Sequence, residues 1–295
     1  MSKSAESRGK RLHHFVPRSY LRAFSDETGQ MLAILREPCE VRNVNVSTVA
    51  VEKYFYKIRR SNGEICDDLE DALAEFDGSI PQIVAKAASG LQMSTGDLED
   101  LRMLYSNLVA RGQLGRDSLI GDVSSARERI EREFAAEFPQ EALEKHRSLL
   151  DGIIRSVFDH PEGYATDPET VSRLALVRLA VDFKANMPGH VCVLESPNLE
   201  LITSDAPFSW FDPMRPPDQA DIDGPSFLAP RVELTFPISR HHAVMFANVP
   251  LPERVSINDY AGAILNSRTV FFARRMVLAH PSGAAAAVAY ASVAD

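Results

Sequence analysis

Cysteine is scarce: Cys39, Cys66 and Cys192 are the only three in 295 residues. Their odd number and wide spacing exclude a disulfide framework and a paired zinc signature, so they are expected to be reduced and at least partly buried. Long apolar runs are missing too. No stretch reaches the roughly 18 residues that spanning a bilayer requires, and residues 1–11 lack the apolar segment of a signal peptide, which points to a cytoplasmic chain without a membrane partner. Basic charge is not in excess, and the formal net charge of −9 argues against coating nucleic acid by bulk electrostatics. Internal repeats and a glycine-rich phosphate loop are absent. So are the Gly-x-Ser-x-Gly elbow, the His-Glu-x-x-His helix and any cysteine-nucleophile arrangement, which argues against the hydrolase and zinc-protease classes built on them.

What is present is an ordinary globular balance, 45% hydrophobic and 25% charged residues, in a chain long enough to bury a substantial core. We read it as one α+β domain over 12–281, with a helical central region packed between N-terminal and C-terminal strands. A flexible basic leader (1–11) precedes it and an Ala-rich tail (282–295) follows. Six basic residues against the single acid Glu6 in positions 1–22 leave a local basic patch possible within an acidic protein.

Proline at 17 predicts a short helix carrying Tyr20, Leu21 and Phe24. Strands are predicted at 30–36 and 54–59, with an irregular stretch at 41–51 between them. Helical spacing runs from Leu69 through Leu73, Phe76, Ile80 and Ile83, with a kink or restart expected at Gly78 and Pro81. A second helix over 97–112 aligns Leu101, Leu104, Leu108 and Arg111. Charged helices are expected at 122–138 and 139–158. Asp167 and Pro168 then predict the start of a helix apolar nearly all round, the expected central core helix. Strands follow at 190–195, 199–204, 231–237 and 242–247. A capping box at Ser256 and Asp259 opens a helix to about 269, and a last strand covers 275–278.

Several side chains invite chemistry. Arg111 shares the buried stripe of its helix and demands a carboxylate; Glu70 and Asp77, seven apart on one helix face, are the natural partners. Asp205 cannot close an Asx-turn, because the residue two positions on is Pro207 and has no N–H, so the acid is free for a metal, a substrate or a buried arginine. His14, just before a helix start, is favoured as neutral imidazole, the form that binds metal or accepts a proton, although a hydrogen-bonded core histidine is the plainer reading. Glu52 beside Tyr54-Phe55-Tyr56 is weighed the same way. His241 and His242 would point to opposite faces of a strand and cannot chelate together.

His14-Phe15-Val16-Pro17 followed by Tyr20-Leu21 and Phe24 resembles the opening signature of the family known as domain of unknown function 4238. The same order continues with Glu52 and Phe55-Tyr56, Leu69-Glu70 with Asp77 and Ile83, and then Arg111. It closes with Thr203-Ser204-Asp205-Ala206-Pro207 and Phe236-Pro237-Ile238-Ser239. The chain departs from that pattern at Asp77, a shorter acid than expected, and at Arg111-Gly112, where a proline is expected shortly after the arginine. The resemblance implies a set of residues rather than an activity.

Two functions are carried forward. One is a metal-dependent, nuclease-like hydrolase acting on nucleic acid or nucleotide. In it Asp205, Glu52, Glu70 and Asp77 serve as Mg²⁺ or Mn²⁺ ligands, His14 as base and Arg111 as charge stabiliser. The other is a non-catalytic sensor or partner-binding protein in which the same residues form a structural network.

Overall fold

A computed structural model of the chain describes residues 12–38, 40–113, 160–213 and 230–283, with positions 115, 116, 119, 121, 123–125, 128, 132 and 155 between them. The expected leader, nearly all of the helices at 122–138 and 139–158, the tail from 284 and Cys39 lie outside the described residues. The architecture is α+β.

Strand β1 (Leu12–His14) pairs antiparallel with β4 (Val51–Lys53), setting His13 opposite Glu52 and His14 opposite Val51. Pro17 caps the short helix α1 (Arg18–Leu21), and one 3-10 turn continues it to Phe24, burying Tyr20, Leu21 and Phe24 as expected. β2 (Gln30–Leu35) pairs with β3 (Val41–Asn45), which replaces the irregular stretch read from the sequence. β3 is an edge strand whose residues face mostly solvent, so it lacks the alternation by which a half-buried strand is recognised. The predicted strand at 54–59 is mostly a tight turn, entered by Tyr54 at φ 57°, and only Ile58–Arg59 (β5) pairs with Ile65–Cys66 (β6).

Helix α2 (Asp68–Ala88) runs through Pro81 without the expected restart. Pro81 cannot donate to the carbonyl of Asp77 four residues back, and the Ser19 hydroxyl donates to that oxygen instead, at 2.6 Å. Helix α3 (Thr95–Arg111) begins two residues earlier than predicted because Ser94 and Asp97 close a capping box. Asp167 and Pro168 start α4 (Pro168–Ala185) as expected, but α4 is not a central core helix. It packs on α3 with one side only, leaving Val177 46% and Val181 50% exposed.

The C-terminal third supplies β7 (His190–Glu195), β8 (Thr203–Ser204), β9 (Ser209–Phe211), β10 (Glu233–Ser239), β11 (His242–Ala247), β12 (Arg254–Ser256), helix α5 (Asp259–Phe272) and β13 (Met276–Ala279). The strand predicted at 199–204 shortens to β8, since Ile202 N–H donates to the Asn266 side chain instead of a neighbouring strand. Asn258 caps α5, while Ser256 belongs to β12. One sheet has the order β12-β7-β11-β10-β9, antiparallel except for β12 with β7. The other, β3-β2-β13-β8, joins the N-terminal hairpin to the last strand. In the main core Tyr105 of α3 meets Phe208, Phe236 and Phe246 at ring separations of 6.4, 5.5 and 5.7 Å.

Candidate functional site

The apolar stripe of α3 carries Leu101, Leu104 and Leu108 into the core and leaves Arg111, at the last turn, only 2% exposed. Helix α3 can end there because position 112 is glycine: a β-carbon would lie 3.1 Å from the Phe208 ring and 3.2 Å from the Leu108 carbonyl oxygen. Four of the five guanidinium donors are used. Arg111 Nε donates to the Tyr56 hydroxyl at 2.7 Å. One terminal nitrogen donates to Asp77 Oδ1 at 2.6 Å, and the other to Asp77 Oδ2 at 3.2 Å and to the His14 carbonyl at 2.7 Å. Burial opposes the charge, but Tyr56 and Asp77 outweigh it and the guanidinium pKa is raised. The predicted ion pair therefore forms with Asp77. Glu70 sits close enough to Tyr56 to add to the upward push that burial gives its phenol.

His14 is half-buried at the edge of this cluster. Nε2 lies 3.0 Å from the Val46 carbonyl, which can only accept, so Nε2 carries the proton and Nδ1 is the bare nitrogen of the neutral ring. Burial first, then Arg111 and Arg18, lower its pKa, partly countered by the Val46 hydrogen bond and by Asp77. The ring is a neutral acceptor at physiological pH.

Glu52 lies apart from Arg111 and pairs with Arg116 at 2.6 Å, where the Arg116 guanidinium stacks 5.0 Å above the Phe55 ring. Asp205 goes elsewhere again. Its Oδ1 accepts from the backbone N–H of Arg274 at 2.9 Å and its Oδ2 from that of Arg275 at 2.7 Å, closing the turn between α5 and β13. The Asx-turn is absent, as argued from Pro207, but the acid is not free as the sequence suggested: it is 3% exposed and both of its oxygens accept backbone amides. Burial raises its pKa, and the amides of Arg274, Arg275 and Met276 offset part of that.

The structure thus brings together His14, Glu70, Asp77 and Arg111, and leaves Glu52 beside Arg116 and Asp205 at the second sheet. Among the described residues no group of three or more His, Cys, Asp and Glu is placed to hold a metal ion, so the four acids do not form one ligand set. His241 and His242 bond separately, to the Ser196 carbonyl and the Ser239 hydroxyl. Cys66 and Cys192 are free and buried.

Sequence reasoning gave no role to Tyr56, His13, Lys57 or Asp67. His13 is fully buried, and its Nδ1 accepts the Tyr56 backbone N–H at 2.8 Å. Lys57 Nζ lies 2.5 Å from Asp67 Oδ1, with His13 Nε2 3.9 Å from the same oxygen. The available signal was strand alternation, which turns one of two adjacent histidines inward. The signature segments also meet: the buried Tyr20 hydroxyl donates to the Pro237 carbonyl at 2.6 Å and lies 3.0 Å from the Thr203 hydroxyl.

No helix among the described residues is long and apolar enough to cross a membrane. Comparison with curated proteins and with solved structures finds no match. A family model does match, over residues 12–283, and the chain therefore belongs to the family described as Protein of unknown function (DUF4238).

Proposed function

We propose that this is a binding protein in which the signature residues are the joints of the scaffold, and that it does not perform metal-dependent hydrolysis with the acids read from the sequence. The observation carrying this reading is that those residues are spent on one another. Arg111 spends four of its five donors on Tyr56, Asp77 and the His14 carbonyl, and both oxygens of Asp205 hold backbone amides. A charge stabiliser or metal ligand would have to leave a buried bond to act, at the cost of orphaning its partner. The test is a melting series in chelator, Mg²⁺ and Mn²⁺ with assays on single- and double-stranded DNA and RNA. The binding reading expects no metal-dependent stabilisation and no cleavage. Stabilisation by Mn²⁺ that Asp205→Asn abolishes, together with cleavage, would overturn it.

A second reading, hydrolysis of a nucleic acid or nucleotide with His14 as base, is favoured by the fixed tautomer of that ring. A bare Nδ1 beside Arg18 suits proton abstraction next to an anion. Under it, Glu52, Glu70 or Asp77 would hold Mg²⁺ or Mn²⁺. Cleavage that persists in Arg111→Lys but disappears in His14→Gln, at unchanged fold, would move this reading ahead.

A further inference from the structure

Strand β4 is bracketed by two non-glycine residues in the left-handed region, Ala50 at φ 51° and Tyr54 at φ 57°. Such conformations are costly for residues with a β-carbon and gather where backbone is held for a purpose. Between and just after them stand Glu52, Lys53 and Phe55. Together with Arg116 and with Glu169, Ser172, Arg173 and Leu176 of α4, these line a cleft of about 220 Å³. Its floor is apolar, from buried Phe55 and Leu176. Its walls carry Lys53, Arg116 and Arg173 against Glu52 and Glu169, a positive balance within a chain of net charge −9.

We propose that this cleft binds a small organic phosphate, with Arg116 and Arg173 taking the phosphate oxygens, Lys53 at the mouth, and the Phe55–Leu176 floor receiving the apolar body. The inference deepens the binding reading and rests on it. Guanidinium groups present paired donors that match phosphate oxygens. Both are already oriented by the fold, Arg116 by stacking on Phe55 and Arg173 by donating to the Lys57 carbonyl. Among the described residues the carboxylates paired with them, Glu52 and Glu169, lie toward the surface. Glu52 is part-exposed and Glu169 is 72% exposed, 3.6 Å from Arg173, so a ligand anion can share or replace these partners at little cost. The volume decides the class. It is smaller than the ~300–1,000 Å³ that encloses a drug-sized ligand, which suits a phosphate on a single ring or short chain and excludes full enclosure of an oligonucleotide.

Titration calorimetry of the full chain with phenyl phosphate, inorganic phosphate and benzoate tests the assignment. Phenyl phosphate is expected to bind with Kd near or below about 1 mM and more tightly than either other probe. Lys53→Gln should weaken binding about two- to fivefold and Glu169→Gln should tighten it by a similar factor, since both residues act through charge at the rim. Arg116→Gln should abolish measurable binding. If Arg116→Gln fails to fold, the opposite shifts of the two rim variants carry the test alone. Failure of phenyl phosphate to bind the parent chain, or binding indifferent to Lys53→Gln and Glu169→Gln, would overturn the site. Equal affinity for inorganic phosphate would overturn the role of the apolar floor. Release of phenol would overturn the binding-only reading of the function while leaving the site in place.

Discussion

At the scale of single residues, burial with saturated partners decides what a substitution costs. Arg111→Ala removes the cation paired with Asp77 and the donor to Tyr56, so chemical denaturation should show a loss of roughly 3 to 5 kcal/mol. Replacing both partners, Arg111→Met with Asp77→Leu, should recover much of it, as removal of a whole buried pair does. A loss below about 1 kcal/mol for the single variant would mark the pair as expendable. Asp205→Asn leaves one oxygen to serve two backbone amides, and the orphaned N–H should cost about 1 to 3 kcal/mol in chelator. The sequence argument, which left the acid free for a metal, a substrate or a buried arginine, gave no reason to expect that cost. It excluded the local turn correctly but had no view of Arg274 and Arg275, some 70 positions away.

At the scale of elements, local signals were readable wherever the stabilising contact is itself local. Asp167 and Pro168 start α4 as predicted, because an N-cap and the proline after it act within one turn. Ser94 and Asp97 form the same kind of signal in a variant with aspartate in place of glutamate. Ser94→Ala should lower stability by about 0.5 to 2 kcal/mol, measurable by urea denaturation. Pro81 shows the converse. A helix-breaking residue is tolerated because Ser19, on another element, supplies the missing donor to Asp77, so Ser19→Ala should destabilise by about 1 kcal/mol or more, read as a lower urea midpoint. The same substitution in a Pro81→Ala background should cost less, since alanine restores the helical N–H.

At the scale of the whole molecule, titration of buried and half-buried histidines is expected to contribute to acid sensitivity. His14, His160 and His242 all have lowered pKa values, with burial the largest cause in each. Their folded forms bind protons less readily than the unfolded chain. Their contribution is therefore complete above the ordinary histidine value of 6.5 and is lost progressively as pH falls below it. Melting temperature should decline from neutral toward mildly acidic pH, and His14→Gln should flatten part of that decline. Asp205 works in the opposite sense, its raised pKa making the folded state the better proton acceptor as the carboxyl titrates. A stability curve level through pH 6.5 in the parent chain would show the three histidines to be solvated and ordinary.

The α+β class, the ordered family motifs and the burial of Arg111 with an acid of α2 were all determined by the sequence itself. They rest on periodicities, caps and stripes that operate over at most a few turns of chain. Which acid Arg111 takes, that Asp205 closes a turn between α5 and β13, and that Tyr20 ties Thr203 to Pro237 were decided only by tertiary structure. The edge strand β3 and the half-exposed helix α4 belong with them, because a residue's hydropathy states its preference for burial while its neighbours determine whether the preference is met. Convergence of distant side chains is a property of packing, and no spacing within one segment encodes it.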